Sequence, residues 1–142
     1  MTEAMPQPTD WPPLVIAVAP NGARKTKADH PALPMTADDL ADTAVKCAEA
    51  GAAMIHLHVR DAAGGHTLDV AAYRAATKAI RDRLGDGIII QATSEAVGRY
   101  QASEQMAMVR ALRPEAVSMA IRELIPTDKD EETAAEFLQW VV

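Results

Sequence analysis

The sequence predicts an α/β fold assembled from four successive βα units, and three observations carry that reading. Short apolar runs alternate with stripes of helical period from end to end, the runs begin near residues 14, 53, 88 and 116, and turn or cap residues punctuate nearly every junction. Intervals of roughly 30 residues suit the βα units of an eight-fold barrel of about 250 residues. A four-stranded doubly wound sheet has similar spacing, but no Gly-x-Gly-x-x-Gly follows any run, so its dinucleotide-binding form has no support.

The first run, Leu14 to Ala19, is nearly continuous in apolar residues and closed by Pro20-Asn21-Gly22, as expected of a strand covered on both faces and ended by a turn. A polar loop over 21–35 follows, its prolines keeping it extended. Thr36 then caps a helix, with Asp39 at the capping-box position, Leu40, Ala44, Cys47 and Ala48 as the inner stripe, and Gly51 as the stop. The second unit pairs a strand over 53–59 with a helix from about Asp69 to Leu84, whose Tyr73, Ala76, Ile80 and Leu84 share one side. The third joins Ile88 to Ala92 to a helix near 101–112 carrying Met106, Val109 and Leu112. The fourth strand is expected over Ala116 to Ile121. A last helix from about Asp130 places Ala134, Phe137, Leu138 and Val141 at helical spacing and reaches the final residue without a cap.

Composition narrows the function classes. The 142 residues carry 14 Lys plus Arg against 20 Asp plus Glu, a net charge of -6, and 49% are hydrophobic, which excludes a disordered chain and argues against a nucleic-acid binder that needs a basic face. No apolar run approaches the roughly 18 residues of a membrane span. Residues 1–13 hold Glu3, Asp10 and four prolines, unlike a basic, apolar signal peptide, and read as a loose leader before a domain over 14–142. The single cysteine, Cys47, permits no intramolecular disulfide; a cytoplasmic protein is expected, with Cys47 a small apolar filler of its helix.

Chemistry concentrates in Ile55-His56-Leu57-His58-Val59-Arg60-Asp61. Strand alternation turns His56, His58 and Arg60 to one face and Ile55, Leu57 and Val59 to the other. The two imidazoles converge at the carboxyl end of the second strand, the end at which parallel α/β folds bind ligands. His-x-His on a strand suits a divalent metal. It equally suits polar filling bonded to Arg60 or Asp61, and spacing alone leaves the two level. A catalytic zinc needs a third protein ligand; His30, His66 and Glu95 are available, none marked by spacing. Thr93, Ser94 and Ser118 lie near strand ends, where hydroxyls hold a carboxylate or carbonyl oxygen, or cap the next turn. Asn21-Gly22 is a tight turn able to present amides to an anion. Arg122 and Glu123 either face a ligand or pair with each other at the surface, the surface pair being favoured, and the acidic run 128–132 reads as charge favourably placed at a helix amino end.

Taken together, Ala19-Pro20-Asn21-Gly22-Ala23-Arg24, Asp29-His30-Pro31-Ala32-Leu33-Pro34, Ala50-Gly51-Ala52, His56-Leu57-His58-Val59-Arg60-Asp61, Ile88-Ile89-Ile90-Gln91 and Arg113-Pro114-Glu115 resemble the β-keto acid cleavage enzymes, also called 3-keto-5-aminohexanoate cleavage enzymes. The resemblance covers nearly everything after residue 13 and implies a TIM (β/α)8 barrel, of which this chain supplies about the first four βα units. It implies a zinc ion held by His56 and His58 with a glutamate from a late strand, and transfer of CoA from acetyl-CoA to a β-keto acid, releasing acetoacetate and an acyl-CoA. Thr93 and Ser118 match hydroxyl positions that hold the substrate. The remaining ligand and the catalytic residues are expected beyond Val142, so this chain alone should bind zinc weakly or incompletely.

Two departures bear on the substrate. Arg24 stands where members acting on amino-bearing substrates have an acid, and a cation there repels an ammonium group. Ser94-Glu95 and Ala120-Ile121-Arg122-Glu123 replace stretches that contain Gly, or Asn and Gly, in other members. A metal-dependent hydrolase barrel also uses His-x-His, but on its first strand. A third reading is a non-catalytic half-barrel, whose open sheet edges and apolar inner face favour association with a partner half. A homo-oligomer is expected.

Overall fold

Each of the four apolar runs forms a parallel strand, although β1, β2 and β4 are shorter than the apolar pattern and β3 is shifted by one residue along it. The structure, a computed structural model, describes residues 12–142; the first eleven residues of the expected leader lie outside the described residues. The elements follow the order β1 (Ala17–Val18), α1 (Ala37–Glu49), β2 (Met54–Leu57), α2 (Val70–Leu84), β3 (Ile89–Thr93), α3 (Ala102–Leu112), β4 (Ala116–Ser118), α4 (Ile121–Leu124) and α5 (Glu131–Val141). The sheet order is β1-β2-β3-β4, all parallel, with Val18 opposite Ile55, His56 opposite Gln91 and Thr93 opposite Ser118.

Local chemistry explains the helix starts. Thr36 Oγ1 accepts from the Asp39 amide at 3.1 Å while Asp39 Oδ2 accepts from the amides of Thr36 and Met35, the reciprocal capping box read from the sequence. Asp69 caps α2 by accepting from the amides of Ala71 and Ala72. Gly51 follows α1 at φ +96°, a backbone shape that a side chain resists.

The core lies between the helices and one face of the sheet. Ile55, Leu57, Ile90 and Ala92 from the strands join Leu40, Tyr73, Ile80, Met106, Val109 and Phe137 from the helices in one buried cluster. Fully burying a side chain of this size stabilises by about 1.5–3 kcal/mol. Right-handed crossovers between neighbouring parallel strands put successive helices on that same side. The opposite face, carrying Met54, His56, Ile89, Gln91 and Ser118, stays open enough for Ile89 to be 41% exposed.

Two expectations are corrected here. The run Leu14 to Ala19 is not covered on both faces: Leu14, Val15 and Ile16 are 85, 66 and 47% exposed, because β1 has β2 alone as a neighbour among the described residues. The fourth strand ends at Ser118 rather than Ile121, since residues 121–124 turn into α4, which buries Leu124 completely and leaves Ile121 outside. In addition, residues 128–130 of the acidic run form a 3-10 turn before α5 begins at Glu131. In α5, Ala134 and Phe137 face inward as expected, and Arg110 of α3 lies 5.3 Å from the Phe137 ring.

Candidate functional site

At the carboxyl ends of β2, β3 and β4 the open sheet face forms a cavity of about 360 Å3. His56 and His58 line it from β2 and the residues just after it, Thr93 and Glu95 from the end of β3, and Ser118, Arg122 and Glu123 from β4 and α4. Alternation along β2 produces the pair: Ile55, Leu57 and Val59 are at most 3% exposed in the core, so the residues between them turn to the cavity. The imidazole centroids of His56 and His58 stand 4.8 Å apart.

Each ring is held by a neighbour on β3. His56 Nδ1–H donates to Gln91 Oε1 at 2.7 Å, and His58 Nε2–H donates to Glu95 Oε2 at 3.0 Å. These partners are neither Asp61 nor Arg60. His58 is 4% exposed, and burial pushes its pKa down to about 4; the neighbouring His56 and His66 add to the shift, while Glu95 opposes it. The ring is therefore neutral near pH 7, the form that ligates metals. Its Nδ1 is buried without a hydrogen-bond partner, an orphaned acceptor that a cation would satisfy. With Nδ1 of His56 committed to Gln91, the Nε2 lone pair of that ring remains. The two imidazoles thus fit part of a divalent metal site. Among the described residues, however, no group of three or more His, Cys, Asp and Glu is arranged to hold an ion.

The loops around the cavity are fixed by side chains deep in the structure. Asn21 is buried and its Nδ2 donates to the carbonyls of Pro34 at 3.0 Å and His58 at 2.8 Å, tying the β1–α1 loop to the backbone that carries the second imidazole. Arg60 does not share the face of the histidines. The β2 ladder ends at Leu57, so alternation no longer governs it, and its guanidinium donates to the carbonyls of Gly22, Ala23 and Lys25. The Asn21-Gly22 turn consequently presents carbonyls to an arginine. On the β3 side, Ser94 Oγ donates to Gln105 Oε1 at 3.1 Å, and Glu123 Oε2 accepts from the Ala96 amide at 3.0 Å. Val97 follows at φ +49°, an unusual backbone for a β-branched residue and one that loop strain near a site can explain.

Among the site residues expected from the sequence, the cavity gathers His56, His58, Thr93 and Ser118. Thr93 Oγ1 accepts from the Glu95 amide at 3.2 Å, so its hydroxyl fixes the turn and keeps its proton for another acceptor. Arg24 is exposed on the β1–α1 loop and is not among the cavity-lining residues. Of the further metal donors considered, Glu95 touches His58. His66 stacks edge-on against that ring, 5.4 Å away, with Nε2–H on the Glu95 carbonyl. His30 is exposed, its Nδ1 accepting from the Ala32 amide. Sequence reasoning missed Gln91, which only the β2–β3 register places beside His56, and of the two readings of Arg122 and Glu123 it favoured the surface pair over the ligand-facing one, although both line the cavity. A cleft of about 440 Å3 on the helix side of the sheet is different in kind. Its Arg81 is committed to Glu115 and to the carbonyls of Gly85 and Ile88, stitching α2 to the strand starts.

Comparison with known proteins gives a consistent picture. The sequence model of the beta-keto acid cleavage enzyme family matches residues 13–141. A 3-keto-5-aminohexanoate cleavage enzyme of Fusobacterium nucleatum is 42% identical over a stretch covering 60% of this chain and 31% of that enzyme. A 3-oxoadipate:acetyl-CoA acetyltransferase of Cupriavidus necator is 32% identical over 76% of this chain and 37% of its own length. The chain therefore spans about a third of the length of the curated relatives it matches. Among solved structures, the ternary complex of ObcA with C4-CoA adduct and oxalate superimposes with a TM-score of 0.52 at 18% identity, over 63% of this chain and 23% of that one, a likeness of fold.

Proposed function

Because this chain belongs to the β-keto acid cleavage enzyme family, we propose that it takes part in transferring CoA from acetyl-CoA to a β-keto acid, forming acetoacetate and a new acyl-CoA. The balance is simple: the bond between C2 and C3 of the keto acid breaks, C2 joins the acetyl carbonyl carbon, and the CoA thiolate leaves that carbon for C3. The observation that carries the reading is the meeting of His56 and His58 with Thr93 and Ser118 in one cavity, drawn from three adjacent strands.

His56 and His58 are the chain's ligands for a zinc ion. When bound, zinc supplies Lewis-acid polarisation of the substrate's oxygens. Gln91 keeps the His56 lone pair on Nε2 by accepting from Nδ1–H, and Glu95 steadies the His58 ring. The Thr93 hydroxyl keeps its proton for a carboxylate or keto oxygen, and Ser118, opposite it in the register, offers a second hydroxyl to the same group. Arg24 is exposed on the loop held by Arg60, and a cation on that loop disfavours substrates carrying an ammonium group.

The proposed frame is a (β/α)8 barrel, whose early strands would run in the sequential order seen here, with helices outside and the site at the carboxyl ends. In that frame the exposed Ile89, on the face away from the helices, would point into the barrel interior. No helix among the described residues is long and apolar enough to cross a membrane. The function is tested by supplying acetyl-CoA with a panel of β-keto acids and measuring acetoacetate and new acyl-CoA together. Their formation in equal amounts is expected. Free CoA and acetate without acyl-CoA would instead identify a hydrolase.

A further inference from the structure

The charges around the cavity are unequally committed. Its two carboxylates each have a donor, Glu95 from His58 and Glu123 from the Ala96 amide. Its one guanidinium, Arg122, makes no ion pair or side-chain hydrogen bond among the described residues. Most of the other arginines are occupied: Arg60 by loop carbonyls, Arg74 by the Ala111 carbonyl, Arg83 by Asp38, Arg99 by Asp61, and Arg110 against aromatic rings. Arg24 also lacks an ion pair but does not line the cavity, so the charge argument attached to it applies with more force to Arg122.

We propose that Arg122 is a specificity-determining residue that binds a second carboxylate at the far end of the acyl group, making a β-keto dicarboxylic acid the preferred substrate. This rests on the β-keto acid reading of the same cavity. One end of such a molecule, its β-keto acid group, occupies the hydroxyls of Thr93 and Ser118 beside the two histidines. The other end crosses to Arg122, whose planar fork donates two parallel N–H bonds to a carboxylate. A neutral acyl chain leaves that cation without a partner, and an ammonium-bearing chain is repelled by it. Phosphate groups of CoA are the other source of anionic oxygens, and the two sources are separable by experiment.

The test is a set of NMR titrations of the full chain with 3-oxoadipate, 3-oxohexanoate, 5-amino-3-oxohexanoate and CoA. Wild-type protein should bind the six-carbon diacid about tenfold more tightly than the six-carbon monoacid, and the amino acid least. Arg122→Gln should bring the diacid-to-monoacid ratio close to one, Arg122→Lys should restore part of it, and Arg122→Glu should favour the amino-bearing ligand. A ratio near one in the wild type, or a wild-type ratio retained by Arg122→Gln, overturns the proposal. So does a loss confined to CoA binding, which would assign Arg122 to phosphate. Failure of the underlying reading looks different: no keto acid binds at all, or binding of the monoacid is indifferent to His58→Ala.

Discussion

Replacing Asn21 with alanine tests whether the candidate site is held in shape from below. The side chain is 4% exposed and donates twice through Nδ2, to Pro34 at 3.0 Å and to the His58 carbonyl at 2.8 Å. Each lost hydrogen bond removes about 1 kcal/mol, and the carbonyls left without a donor add a further desolvation cost. Against this, Asn21 Oδ1 is itself buried without a partner, and deleting it relieves part of that cost. The net expectation for Asn21→Ala is a destabilisation of about 2 kcal/mol. With a urea slope of roughly 2 kcal/mol/M, this moves the unfolding midpoint down by about 1 M. Asn21→Asp sharpens the test, because it conserves shape while turning the donor into an acceptor facing two carbonyl oxygens. It should destabilise more than alanine at neutral pH. Urea unfolding of the three proteins, with the slope checked for constancy, decides the matter. An alanine variant within 0.5 kcal/mol of wild type, or an aspartate variant as stable as the parent, would refute the idea that this amide ties the β1–α1 loop to the His58 backbone.

Further outcomes follow from buried groups near the cavity. Tyr73 is fully buried and its hydroxyl donates to the Thr93 carbonyl at 2.9 Å, so Tyr73→Phe should cost about 1 kcal/mol in the same assay, and an unchanged midpoint would show that bond to be worthless. His58, held down to about 4 by burial, binds fewer protons folded than unfolded below its ordinary value of 6.5. Stability is therefore complete above that value and declines as pH falls toward about 4, by about 1–2 kcal/mol once solvent screening is allowed for. His66, shifted the same way by burial, adds to the decline. Metal-free unfolding between pH 7 and 4 measures this; His58→Gln should flatten the profile, and an equally steep profile would place the titration elsewhere.

Strand alternation was enough to read the side of β2 on which His56 and His58 lie, because Ile55, Leu57 and Val59 have an obvious core destination. The Thr36–Asp39 box was equally legible, since both halves of a cap lie within four residues of each other. What escaped was whatever depended on register or on the ends of ladders. Gln91 meets His56 only because β2 and β3 pair in that register, 35 residues apart in sequence. Arg60 left the expected face because the ladder stops three residues before it. Arg122 and Glu123 reach the cavity because β4 ends early and α4 turns back over it, a choice driven by burying Leu124 rather than by any local strand signal. Resemblance supplied the family that periodicity leaves open, and the family match over residues 13–141 agrees with it.

The central claim is that His56 and His58 act as a metal-binding pair, and zinc titrated into the full chain with histidine side-chain nitrogen shifts as the readout tests it most directly. Saturable one-to-one binding is expected, shifting the His56 and His58 ring nitrogens and lost in His56→Ala, in His58→Ala and in the double variant. Affinity should be modest, because no third donor is grouped with the pair among the described residues. Zinc binding that survives the double variant, or shifts confined to His30 and His66, would contradict it.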